Sequence, residues 1–90
     1  MALVYYPAIV ERSSDGFSVF FPDLPGCVSA GRTLQEAAHN AEEALVGHLV
    51  VSAEHGDAIP DPSELKAVQV DSDIDEVARI LVRGDLESLG

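Results

Sequence analysis

The chain has one cysteine, no tryptophan and five basic residues among 90, and each scarcity removes a class of explanation. A lone Cys27 excludes an intramolecular disulfide and a thiolate zinc cluster, and points to a reducing compartment. Five bases against sixteen acids give a formal charge of -11. That field repels phosphate and favours a cationic partner, so direct nucleic acid binding by this chain is not expected. No apolar stretch approaches the roughly 20 residues of a membrane span, and no basic segment leads into an apolar core at the start. The expectation is a soluble, cytoplasmic protein with no membrane partner. Phosphate loops, dinucleotide fingerprints, serine elbows and paired-histidine zinc motifs are missing too. The chain is therefore expected not to be an enzyme and to carry no cofactor.

Hydrophobic residues make up 47% of the sequence, enough to fold, and the length suits one domain over residues 1–90. A domain this small buries a modest share of its surface, which makes self-association a reasonable source of added stability. Three apolar stretches, Leu3 to Val10, Phe17 to Phe21 and Cys27 to Ala30, are joined by loops too short for a parallel crossover, so they predict an antiparallel meander. Ser13-Ser14-Asp15-Gly16 predicts the first hairpin turn. Strand one is apolar on both faces, so one face must meet a helix and the other something else. Pro7 lacks the amide hydrogen of a ladder, which puts this strand at an edge or turns that position away from its neighbour. Pro22-Asp23-Leu24-Pro25-Gly26 predicts a rigid loop, either a preformed contact surface or a plain connector.

Thr33-Leu34-Gln35-Glu36 has the form of a capping box, the hydroxyl accepting from the Glu36 amide and the carboxylate reaching back to the Thr33 amide. The helix it opens is predicted to run about six turns to Gly56. Leu34, Ala38, Ala41, Leu45, His48 and Ser52 form its expected buried stripe, with Ala37 and Leu49 beside them. Val46, Val50 and Val51 leave that stripe and are the expected interface of a homo-oligomer, a dimer or tetramer. Beyond the helix, residues 57–63 read as an extended connector, Ser63 as the cap of a turn through Leu65 to Val68, and Asp71 to Glu76 as an acidic loop. Val77 to Val82 predicts a last strand that returns to the edge left open by the meander.

Chemistry-bearing clusters are weak. His39, His48 and His55 are too far apart along one helix to share a metal, and read as core or capping residues. Asp15, Asp23, Asp57 and Asp61 each sit in a predicted turn, where aspartate has a local hydrogen-bonding role, so no metal is assigned. From Glu54 onward ten acids face only Lys66, Arg79 and Arg83. That surplus serves either solubility or the binding of a basic partner.

The order strand, Asp15-Gly16 turn, strand, FPDLPGC loop from Phe21 to Cys27, strand, TLQEAAHNAEEAL helix and Ile59-Pro60-Asp61-Pro62-Ser63 connector resembles the HicB-like antitoxin family over nearly the whole chain. The resemblance implies a partial ribonuclease H-like fold: α+β, β-β-β-α-β, an antiparallel sheet with one long helix on one face. It implies an antidote that neutralises a small basic HicA-type mRNA-cleaving toxin by occluding its RNA-binding and active surface. Asp23 and Leu24 in the rigid loop and Asp71, Asp73, Asp75 and Glu76 are the expected toxin contacts. Many family members continue into a DNA-binding segment, which is not expected within these 90 residues. An orphan oligomerising module without a toxin, or a weak metal-dependent ribonuclease, are the other readings.

Overall fold

The computed structural model describes residues 3–85. Ser14 and Asp15 turn the chain between β1 (Leu3–Ser13) and β2 (Gly16–Phe20), whose ladder runs from Ile9↔Phe20 to Ser13↔Gly16. The polar residues Glu11, Arg12 and Ser13 continue this ladder, so β1 outlasts its hydrophobic alternation. β3 (Val28–Gly31) pairs with β2, and α1 (Leu34–Glu54) follows at once. After a short 3-10 turn at Leu65–Ala67, β4 (Glu76–Asp85) pairs antiparallel with β1, and the sheet order is β3-β2-β1-β4. The predicted α+β architecture and the return of the last strand are therefore present. β1 is an inner strand, not an edge. Pro7 is tolerated there because its register partner is Leu81 of β4 while pairing with β2 begins only at Ile9, leaving its nitrogen an open side. A register shift between Val10 and Glu11 leaves Val77 without a partner, a bulge near the start of β4.

Thr33 caps α1 by accepting from the Glu36 amide at 3.0 Å, and the Glu36 carboxylate accepts from the Arg32 amide at 3.0 Å, one residue earlier than the box predicts. The buried seam also differs from the expected stripe. Ala37, Ala41, Leu45 and Leu49 are buried, an uninterrupted i, i+4 row, whereas Leu34 is 44% exposed and Ala38, His48 and Ser52 are only half-buried. Close approach sets this rotation. A Cβ on Gly31 of β3 would lie 2.4 Å from the Ala37 nitrogen and 2.8 Å from its Cα, so the first turn of α1 sits directly on a glycine. Two alanines then keep the helix low on the sheet before Leu45 and Leu49 fill the wider end.

One core lies between α1 and the sheet: Tyr6, Ala8 and Val10 of β1, Val19, Phe21, Leu24, Cys27 and Val82, with the helix seam above. Strand alternation points Pro7 and Ile9 to the opposite face, and both are fully buried too. The connector from α1 to β4 starts on the helix side and reaches that face at residues 65–68. Ile59 packs against the core, the Tyr6 hydroxyl donates to the Pro60 carbonyl, and the Ser63 amide and hydroxyl both donate to the Asp23 carboxylate at 2.7 Å. Ser63 thus latches the connector to the 21–27 loop; the residue at the cap of the 3-10 turn is Glu64, without a side-chain cap bond. Arg79, the register partner of Ile9, then donates to the Leu65 and Val68 carbonyls at 3.0 and 2.9 Å.

Three outcomes follow from this packing. Gly31→Ala forces backbone apart at the β3 to α1 junction and is expected to cost about 1–3 kcal/mol, read from urea unfolding midpoints. Asp23→Ala removes both latch bonds and is expected to cost about 1 kcal/mol, with faster amide exchange concentrated at 60–68. Burial pushes the Cys27 thiol up to about 11 from its ordinary 9.0. The unfolded chain loses this proton first, so its contribution is complete below about pH 9 and lost as pH rises toward 11. Burial and the Asp23 and Asp61 charges raise Tyr6 and act in the same direction. Unfolding midpoints at about pH 8 and about pH 10 should therefore fall with pH, and the folded thiol should resist alkylation at the lower one.

Candidate functional site

The acidic side chains divide into those the fold uses and those it leaves in solvent. Asp23 is half-buried, and its two oxygens hold the Ser63 amide and hydroxyl. Leu24 is 2% exposed and belongs to the core, its backbone closing the 21–27 loop through Leu24 to Phe21 and Cys27 to Leu24 hydrogen bonds of 3.0 Å. This corrects the expectation of Leu24 as a surface contact: the two prolines stiffen a structural connector that tucks its apolar tip inward. Glu76 is bound on both oxygens by Arg79, at 2.7 and 3.0 Å, and these hydrogen bonds hold its carboxyl below the usual carboxylate range against the opposing effect of burial. Glu76 therefore fixes the arginine that clamps the connector.

Asp71, Asp73 and Asp75 remain. All three are exposed in the turn that leads into β4. The turn is held at its base, where the Ile74 amide donates to the Asp71 carbonyl at 3.1 Å and the Arg12 amide to the Asp75 carbonyl at 3.0 Å. The Asp75 carboxylate lies 3.6 Å from the Arg12 guanidinium in an open ion pair, and Arg12 sits over the Phe17 ring at 5.9 Å. Asp71 and Asp73 project beyond this pair. The structure thus brings three of the six expected contacts together on one turn, buries Leu24, and gives the partly exposed Asp23 and Glu76 carboxylates intramolecular partners.

The outward side of α1 is the second exposed surface. Val46 and Val51 are 37% and 50% exposed and Val50 is half-buried. Glu42, Glu43, Val46 and Gly47 line an open groove of about 460 Å³ there. Glu42, Glu43 and Gly47 were not singled out by sequence reasoning; a glycine inside an otherwise alanine-, leucine- and valine-rich helix was the available signal. His39 pairs with Glu43 at 3.7 Å on the same helix. Among the described residues no group of three or more His, Cys, Asp or Glu is placed to hold a metal ion, and no helix is long and apolar enough to cross a membrane.

The family model for the HicB-like antitoxin of bacterial toxin-antitoxin systems matches residues 6–90. Antitoxin HicB 2 of Photorhabdus laumondii is 32% identical over 77 residues, 86% of this chain and 55% of that protein. The chain spans about half the length of this and two other curated relatives. The Burkholderia pseudomallei antitoxin HicB superposes with a TM-score of 0.80 at 28% identity, over 97% of this chain and 67% of that one. A chain of a HicA3 and HicB3 toxin-antitoxin complex superposes with a TM-score of 0.61 at 34% identity, over 68% of this chain and 71% of that one. With the β-β-β-α-β order, the looped FPDLPGC segment and the capped helix all in place, the chain belongs to the HicB-like antitoxin family.

Proposed function

We propose that this chain neutralises a small basic HicA-type RNA-cleaving toxin by binding it and covering the cationic surface that would otherwise hold RNA. The observation that carries the reading is the anionic turn of Asp71, Asp73 and Asp75, exposed and fixed at its base, on a chain of formal charge -11 in an antitoxin family. A toxin that cleaves mRNA must present cations to phosphate, and the same cations are attracted to fixed carboxylates. Solvated acids of this kind work by raising the encounter rate, since their pull extends about 8–10 Å at moderate salt. Inhibition is then occlusion, with no bond made or broken by this chain. The likeness of this chain to a chain of a HicA3 and HicB3 toxin-antitoxin complex supports the same partner class here.

The decisive measurement is association of the purified chain with a catalytically inactive HicA-type protein from the same genome. Tight binding that removes RNA from the toxin is expected; absence of a complex at micromolar concentrations, or RNA hydrolysis by this chain alone, rejects the reading. Combined Asp71→Asn, Asp73→Asn and Asp75→Asn substitution is expected to slow association about tenfold at low salt while leaving dissociation nearly unchanged. The difference from wild type should shrink as salt rises, and stopped-flow kinetics at two ionic strengths check both statements.

A further inference from the structure

Gly47 occupies the interior of a 21-residue helix, where glycine is a poorer helix former than any residue but proline. Nothing among the described residues requires it. Among the described residues a Cβ at Gly47 meets no atom within 4 Å, in contrast to Gly31, where the helix backbone stands in the way. The missing side chain therefore leaves room on the outside of the molecule. Val46 and Val50 form one i, i+4 pair, and Gly47 completes another with Glu43 on one side and Val51 on the other, so these residues share the outward face. The groove beside them has an apolar floor of Val46 and Gly47 and an anionic rim of Glu42 and Glu43. A helix backbone can approach another most closely over a glycine, with side chains packing into the groove on either side.

Charge selects the occupant. Self-association at Val46, Val50 and Val51 is the sequence expectation, but α1 carries Glu36, Glu42, Glu43 and Glu54 and no lysine or arginine. All five bases lie elsewhere: Arg12 on β1, Arg32 before the helix, Lys66 in the 3-10 turn, and Arg79 and Arg83 on β4. A second copy laid helix to helix would set acids against acids with no cation between them, in a pair of chains each at -11. A cationic helix with one apolar stripe meets neither objection. We propose that this groove receives a basic amphipathic helix of the toxin, crossing over Gly47, with aliphatic side chains on Val46, Val50 and Val51 and its lysines or arginines toward Glu42 and Glu43.

This assignment rests on the antitoxin reading and names where the long-lived contact is made. Wild type, Gly47→Ala and Gly47→Gln are compared for thermal midpoint, sedimentation, and affinity for the same inactive HicA-type protein. Because the site is open and both new residues are better helix formers, both variants are expected to melt above wild type, by about 4 °C for alanine. Toxin affinity is expected to move the other way, falling at least about 30-fold for glutamine and less for alanine, mainly through faster dissociation. A stabilised Gly47→Gln protein that binds toxin as tightly as wild type overturns the inference and leaves the antitoxin reading standing. Loss of a wild-type oligomer in Gly47→Gln with toxin affinity unchanged gives the groove to a second copy and overturns it as well. Failure of wild type itself to bind the toxin removes the antitoxin reading, and this inference with it.

Discussion

Burial of β1 on both faces is the constraint around which the molecule is arranged. Tyr6, Ala8 and Val10 point to the helix while Pro7 and Ile9 point away, and all five are buried. One helix can cover one face. A domain of this size has little apolar surface to spare, and leaving Pro7 and Ile9 in water would forfeit a meaningful part of its hydrophobic stabilisation. The segment between α1 and β4 therefore has to travel from the helix side to the other side of the sheet. Its path is marked by Ile59 against the core, Pro60 at the Tyr6 hydroxyl, Ser63 on Asp23 and the Leu65 and Val68 carbonyls on Arg79. Irregular backbone over apolar surface needs its polar groups satisfied, and these side chains supply the partners.

Local chemistry was legible, and beyond it only the return of the last strand to the open edge of the meander was. Asp15-Gly16, Thr33 with Glu36, and the apolar alternation of β2 act through neighbours in sequence, and each forms the element it announces. The helix seam could not be read to the right angle because its rotation is set by Gly31, which lies outside the helix. Ala37 then wins over Leu34 despite being smaller, since the tight junction admits only small residues and leaves Leu34 beyond the sheet. Ser63 looked like a helix cap because its natural partner, Asp23, is 40 residues away. The same blindness affected the site. Asp23, Leu24 and Glu76 were legible as acids or as a loop apex, yet their roles depend on Ser63, the core and Arg79, none of which is marked in sequence as a neighbour.

Separating buried Leu24 and the engaged carboxylates of Asp23 and Glu76 from the open acids sharpens the electrostatic argument. The net count of -11 already sets Arg79 against Glu76, and Asp23 keeps its charge while its oxygens hold Ser63. Among the acids open to solvent, two groups sit on fixed backbone: Asp71, Asp73 and Asp75 on the turn pinned to β1, and Glu42 and Glu43 on the outward side of α1. Fixed anions on rigid backbone lose little entropy when a partner arrives, whereas the same charges on a mobile tail would have to be ordered first.

Self-repulsion gives the free protein a reason to favour the bound state. Excess acid at neutral pH destabilises a small compact chain, and a cationic partner relieves that repulsion as it binds. Binding to the folded state alone also stabilises it by mass action, so the proposed complex would protect both of its members from unfolding. Charge alone, however, does not hold a complex together, because solvated ion pairs contribute little net energy and weaken with salt. A lasting complex needs desolvated apolar contact near the centre of the interface with charge around it. Among the described residues the outward face of α1 has that arrangement, an apolar floor with two carboxylates at its rim, at a point where the helix gives up a side chain that its own fold has no need to exclude.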